Sequence, residues 1–449
     1  MKKIRIAAGA GFAGDRIEPA LDIIRRGKAD YIIFECLAER TLALAQRQKA
    51  ACPDQGYNPL LEYRFRRIIP LLREHPIQII TNMGAANPVA AARKISRIAE
   101  ESGIAGLKIA AVTGDDVLDR LDRYGDTIFM ETGQALSTCK ERILSANVYI
   151  GAQAITQALE EGADIVVTGR AADASLTVGP LMQAFGRSYD DYTFIGQATA
   201  AGHLLECCGQ VTGGYYADPG YKDVPALWNL GFPIVTFYEN GDFSVEKLPG
   251  TGGLLCVGTV AEQLLYELED PACYLTPDGV ADFSHIRLRE EEDKVWVSGA
   301  AGREKTGTLK VSVGYTGGFI GEGEISYGGP NCLARAALAR EVLERRFAML
   351  DLGLEELRFD YIGVNSLYGG ERGLGDAEPR EVRLRAAART ADRQTAEAVG
   401  REVESLYVNG PAGGGGVRCS VTDVISIASI LIPEEDVLQK LIWIGGETG

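Results

Sequence analysis

The sequence predicts an α/β fold: a Rossmann-like, mainly parallel sheet at the N-terminus, a β-rich middle region and a ferredoxin-like α+β C-terminal part. Three observations predict it. Short β-branched runs alternate with amphipathic helical segments over the first 180 residues, the pattern of βα units in a parallel sheet covered on both faces. Glycine, proline and tyrosine then rise in TGGYYADPGYKDVPALWNLGFP (212–233), and strand-like pieces separated by turns follow. Strand and helix alternate again over the last 120 residues, in a β-β-α-β order.

Taken in order, IRIAAG (4–9) is strand one and 15–27 a helix. DYIIFEC (30–36) is strand two, and 58–74 has helical apolar spacing. IQIITNMG (77–84) is strand three, and 89–103 is a helix that stops at a glycine. LKIAAVTGDD (107–116) is strand four, 152–162 a helix and ADIVVTGRAAD (163–173) strand five. In the β-rich region IVTFYENGDFSVEKL carries an Asn-Gly hairpin turn at 240–241. Helices at 331–350 and 392–408, the second opened by Asp392, alternate with strand-like LRFDYIGVNSLYG, EVRLRAAARTA and VRCSVTDVISIASILI. The expected boundaries are 1–205 (Rossmann-like), 206–330 (β-rich) and 331–449 (ferredoxin-like).

The 449 residues carry 46 basic and 62 acidic side chains, a net charge of −16. That balance argues against nucleic acid or an anionic membrane as partner, since both require basic patches. No apolar run reaches the length of a membrane span. The N-terminal apolar stretch is broken by glycine and meets Asp15 and Arg16 early, so it reads as a strand and not as a signal peptide. A cytoplasmic location is expected. The nine cysteines include no C-x-x-C pair, which fits reduced, mostly buried thiols.

Strand one runs into Gly9, Gly11 and Gly14, the spacing of a dinucleotide-binding turn, with Glu35 placed where a ribose-binding carboxylate would stand. Asp15 and Arg16 directly after Gly14 weaken that match, because Asp15 caps the helix amides and repels a diphosphate. A stronger signal is that each strand ends in polar groups: Asp15 and Arg16 after strand one, Glu35, Glu39 and Arg40 after strand two. Strand three is followed by Thr81, Asn82, Gly84 and Asn87, strand four by Thr113, Gly114, Asp115 and Asp116, strand five by Thr168, Gly169, Arg170 and Asp173. The carboxyl ends of strands line the ligand crevice of open α/β sheets, so a shared site is expected at this edge.

GHLLECCGQ places His203, Glu206 and Cys207 on one helical face: a general acid or base with an orienting carboxylate, and a thiol able to act as nucleophile. Glu35, Glu39, Asp115, Asp116, Asp173 and His203 suit magnesium or manganese, although no metal-ligand spacing supports one. The glycine run before Arg418 in NGPAGGGGVR can form an anion nest or a lid.

GAGFAGDR, CLAERTLA, TNMGAANP, VTGDDV, ANVYIGAQAITQALEEGADIVVTGRAADASLTVGPL and AGHLLECCGQVTGG together resemble the acyclic terpene utilisation (AtuA-type) family over nearly the whole chain. The resemblance implies a catabolic role in the breakdown of compounds such as citronellol and geraniol, a glycine turn that belongs to a family motif, and a small ferredoxin-fold AtuA-like partner. The reading that follows is a homo-oligomeric catabolic enzyme acting on a small carboxylic acid or its CoA thioester by lyase-type addition or elimination, with no cofactor demanded by the sequence. Arg16 or Arg170 would hold a carboxylate; Glu35, Asp115, Asp173 and His203 with Glu206 would move protons; Asn82 and glycine amides would stabilise an enolate. An NAD(P)-dependent oxidoreductase and a non-catalytic subunit of a complex stay open beside it.

Overall fold

A computed structural model describes residues 1–369 and 379–445. The chain divides into two compact units, one made of 1–314 with 427–449 and one of 315–426.

In the first unit β1 (Lys3–Ala10), α1 (Glu18–Arg26), β2 (Tyr31–Phe34), α2 (Glu39–Ala51), α3 (Leu61–Ile68), β3 (Gln78–Thr81), α4 (Pro88–Glu101) and β4 (Ile109–Thr113) follow the expected alternation. After them come β5 (Ile143–Val148), α5 (Gln153–Glu160), β6 (Ile165–Thr168), α6 (Ser175–Phe185) and α7 (Tyr192–Glu206). The strand-rich stretch supplies β7 (Pro233–Tyr238), β8 (Phe243–Lys247), α8 (Val257–Leu265), β9 (Tyr274–Leu275), β10 (Val280–Asp282), β11 (Arg287–Glu291), β12 (Lys294–Ser298) and β13 (Ala301–Arg303). The chain goes on through β14 (Thr308–Gly328), α9 (Cys332–Leu350), β15 (Glu356–Ile362), β16 (Glu381–Thr390), α10 (Arg393–Asn409) and β17 (Gly415–Pro433) to β18 (Lys440–Ile444).

One ten-stranded sheet organises the first unit, in the order β11-β12-β8-β7-β1-β2-β3-β6-β4-β18. Its centre, β1-β2-β3-β6-β4, is parallel. Tyr31–Phe34 and Ile165–Thr168 are buried along their whole length, which is why these strands read as unbroken apolar runs. The flanks are antiparallel. The sheet is therefore mixed and not mainly parallel. Much of the strand-rich stretch joins this sheet: β7 pairs with β1 and carries β8, β12 and β11 onto it, with the Asn-Gly turn closing β7 to β8, while β13, β10 and β9 form a three-stranded sheet. This is also why the division into units falls near 314 and 426, whereas the sequence suggests 205 and 330.

Helix starts follow local chemistry. Asn87, Asp191 and Asp392 accept hydrogen bonds from the backbone N–H three residues on and open α4, α7 and α10, a contact worth about 1 kcal/mol.

The second unit packs α9 and α10 on strands ordered β15-β16-β14-β17, around Ile325, Tyr327, Leu343, Leu384, Val399 and Val403; β5 adds a fifth strand to this sheet by pairing with β14. Among the described residues no helix is long and apolar enough to cross a membrane.

Candidate functional site

The carboxyl edge of the parallel strands opens into a cavity of about 980 Å³. Three strand ends reach it: 11–16 after β1, Glu35–Thr41 after β2, and Arg170 with Asp173 after β6. Tyr149, the end of α7 (Glu206, Cys207), the 209–232 segment and Tyr266-Glu267 complete the walls.

The glycine turn is used by the protein itself. A Cβ on Gly9 would stand 2.6 Å from the Phe34 ring, and one on Gly11 would stand 2.6 Å from the backbone carbon of Cys207. Asp15 Oδ2 accepts the Gly11 N–H at 2.9 Å and its Oδ1 the Arg16 N–H at 2.8 Å. Helix α1 begins only at Glu18. A dinucleotide does not fit this turn: a carboxylate stands where the diphosphate would rest, and the helix starts too late to offer its N-terminus. Gly11→Ala is expected to lower stability by about 1–3 kcal/mol through overpacking against Cys207. Gly14→Ala meets only the exposed Phe12 ring, at 3.0 Å, and should cost little. Urea denaturation of the two variants checks the contrast, and equal midpoints would contradict the packing described.

Glu35 ends β2 at the floor of the cavity. Its Oε1 accepts the Leu37 N–H at 3.0 Å and the Asn82 side-chain amide at 2.8 Å. Burial pushes its carboxyl up to about 7; nearby Arg170 and the two hydrogen bonds only partly oppose this, and Glu206 adds to it. Asn82 lies beneath: it is fully buried, and its oxygen accepts the Cys36 N–H at 2.7 Å. It therefore positions Glu35 and presents no free donor to the cavity.

Arg170 is 1% exposed and each of its three nitrogens donates to a protein acceptor. It donates to the Leu37 carbonyl at 2.6 Å and to the Ala171 carbonyl at 3.0 and 2.7 Å, and it pairs with Asp173. Its guanidinium lies 4.3 Å from the Tyr149 ring centre. The Tyr149 hydroxyl donates to Glu39, which Lys310 approaches at 3.6 Å. Burial pushes the Tyr149 phenol up. Burial also works to raise Glu39, but the Tyr149 hydrogen bond and the neighbouring cations bring it below its usual value.

At the end of α7 His203 Nδ1 and Glu206 Oε1 are 2.7 Å apart. The sequence points to His203 as the reacting group, yet it is 1% exposed and clusters with the rings of Tyr274 and Phe283, their centres 5.2 and 5.7 Å away. Glu206 lines the cavity. Burial pulls the His203 pKa down, but the Glu206 carboxylate outweighs it and the net shift is upward. The other oxygen of Glu206 and Nε2 of His203 are buried without a hydrogen-bond partner. Burial and Glu206 push the Cys207 thiol up to about 12, so it is a neutral thiol near pH 7 and a poor nucleophile.

The remaining strand tips do not reach this cavity. Asp115 is 3% exposed under the β6 turn, where its Oδ2 accepts the Arg170 N–H at 2.9 Å and the Asn147 amide at 2.8 Å. Burial pushes its carboxyl up to about 6. A Cβ on Gly169 would stand 2.5 Å from that carboxylate, and one on Gly84 would stand 2.4 Å from the Thr168 carbonyl. The 438–440 segment covers the tip of β4: Thr113 donates to the Lys440 carbonyl at 3.4 Å, and Gly114, with φ +114°, lies against the Leu438 carbonyl. Asn87 caps α4. Arg418 is exposed on β17, in the second unit. Among the described residues no three His, Cys, Asp or Glu side chains are arranged to hold a metal ion.

Tyr149, Tyr266 and Glu267 are cavity groups that sequence reasoning passes over. Tyr149 stands directly after β5 in the motif ANVYIGAQ, and a tyrosine at a strand end was the available signal.

A sequence profile described as "Acyclic terpene utilisation family protein AtuA" matches residues 4–443. No curated protein and no solved structure matches the chain. The profile covers nearly the entire sequence and every strand that builds the cavity, and the chain belongs to the acyclic terpene utilisation AtuA family.

Proposed function

We propose that the protein is a catabolic enzyme of acid–base chemistry, a lyase that adds or removes water across a double bond activated by a carboxyl or thioester group. The observation that carries this reading is the pair of carboxyls, Glu35 and Glu206, lining one cavity in unlike surroundings. Glu35 has only backbone and amide donors and is pushed up to about 7, so it holds a proton near neutrality. Glu206 faces a histidine that it keeps toward the charged form. Two carboxyls whose environments set them apart are the usual mark of an acid and a base.

In the dehydration direction Glu206 takes the proton from the carbon next to the carbonyl. The electron pair forms the double bond, and the β-hydroxyl leaves as water with the proton of Glu35. Hydration reverses these steps. Arg16 stands at the cavity wall to meet a carboxylate, and Phe12, Leu37, Leu227, Leu230 and Phe232 provide apolar surface for a hydrocarbon chain. The finer reading of the fold belongs to the same proposal. A Rossmann-like layer is supported by the five parallel strands. A ferredoxin-like unit is supported by the order β14-α9-β15-β16-α10-β17 with strand order β15-β16-β14-β17.

The test is incubation in D₂O with a set of 3-hydroxy and 2-enoyl acids and thioesters of branched apolar chains, followed by mass spectrometry. Deuterium at the carbon next to the carbonyl and interconversion of the two forms are expected, both lost in Glu206→Gln. Binding of these compounds without exchange or interconversion in any of them would sink the reading.

A further inference from the structure

The charge of the cavity narrows the substrate within the acid–base reading, on which this inference rests. Six carboxyl side chains line the cavity: Asp15, Glu35, Glu39, Asp173, Glu206 and Glu267. Among the described residues two guanidiniums share the lining with them, Arg16 and Arg170. Arg170 is buried, ion-paired to Asp173 and bonded to the Leu37 and Ala171 carbonyls. Arg16 is exposed, and its guanidinium donates to the Trp228 carbonyl at 3.2 Å. Among the described residues it is therefore the exposed cation of the lining, whereas Arg170 is buried and engaged through all three of its nitrogens.

A side chamber of about 220 Å³ shares Gln210, Gly214, Tyr215 and Tyr266 with the main cavity, and its wall holds Glu262 and no Lys or Arg. The nearby Lys222 pairs with Glu262. Exposed aromatic rings belong to the lining: Phe12 and Tyr215 are 60 and 92% exposed. A phosphate-rich nucleotide needs several arginines or lysines, or a helix N-terminus, to offset its charge. This cavity offers one exposed arginine and one buried, ion-paired arginine among acids, on a chain of net charge −16.

We propose that the substrate is a small, free carbonyl compound with an apolar chain, uncharged or a monocarboxylate, and not a thioester of CoA. Arg16 takes the carboxylate where there is one, and the aromatic rim takes the chain.

Two measurements on the full chain test this separately from the acid–base reading. In calorimetry, desulfo-CoA should bind no more tightly than about 1 mM; a micromolar dissociation constant overturns the inference whatever the turnover. In the exchange assay one acyl group is presented as free acid, methyl ester, N-acetylcysteamine thioester and CoA thioester. The first three include a form handled at least tenfold faster than the CoA thioester if the inference holds. Added salt should narrow the gap between the two thioesters by screening the acids. Preference for CoA over the cysteamine thioester overturns the inference and leaves the acid–base reading standing. Absence of exchange from every form removes that reading, while the calorimetric result still decides whether the cavity accepts CoA.

Discussion

Glu35→Gln is expected to lower turnover by about 10²–10⁴-fold, the range for removing one positioned acid or base, without loss of stability at neutral pH. Glutamine keeps the oxygen that accepts from Leu37 and Asn82 but has no proton to deliver. The stability sign follows from the direction of the shift. Burial raises the folded-state pKa to about 7, above the unfolded value of 4.5. The native state thus binds the proton more tightly than the unfolded chain. This contribution is complete below about pH 4.5 and is lost as the pH rises through about 7. The difference corresponds to roughly 3 kcal/mol at 1.36 kcal/mol per pH unit. The parent should therefore lose stability relative to Glu35→Gln between those pH values, and the variant should be the more stable protein above pH 7. Paired urea titrations at pH 5 and 8, with exchange assays on the same preparations, measure both effects. A variant that is active, or inactive only because it unfolds, contradicts the assigned role.

The parallel layer was legible because strands buried on both faces must be apolar, and 4–9, 30–36, 77–84, 107–116 and 163–173 each overlap a sheet strand. The site was legible in direction but not in membership. The sequence orders strands along the chain, while the sheet sets β6 between β3 and β4. That placement puts Asn82 under Glu35 and Asp115 under Arg170, so two polar tips became supports. The cover on Thr113 and Gly114 comes from residues 438–440, more than 300 positions away, and no local pattern announces it. The i, i+3 pairing of His203 and Glu206 was readable from spacing. Which of the two faces the cavity depends on Tyr274 and Phe283 packing on the imidazole, which is tertiary information. The glycine spacing resembled a cofactor turn because close approach of backbone to Cys207 makes the same demand as close approach to a phosphate.

Arg170→Met is expected to destabilise the protein by about 3–5 kcal/mol, the cost of removing one member of a buried charged network. The sequence suggests that Arg170 grips a substrate carboxylate, and its surroundings give it a different task. It ties the 37–39 turn after β2 to the 171–173 turn after β6, through the Leu37 and Ala171 carbonyls and Asp173. Methionine fills similar space but leaves both carbonyls without their donor, at about 1–3 kcal/mol for a buried polar group left unpaired. It also removes the cation over Tyr149. Because Glu39 sits on the loosened turn and Glu35 accepts its Leu37 N–H, activity should fall together with stability. Arg16→Met separates the two roles: Arg16 is exposed, so its loss should leave the urea midpoint unchanged and raise KM for a carboxylate substrate without raising it for the matching ester. If Arg170→Met instead kept the parent's midpoint and raised only KM, Arg170 would be a ligand-binding group and the two strand ends would have to be joined by something else.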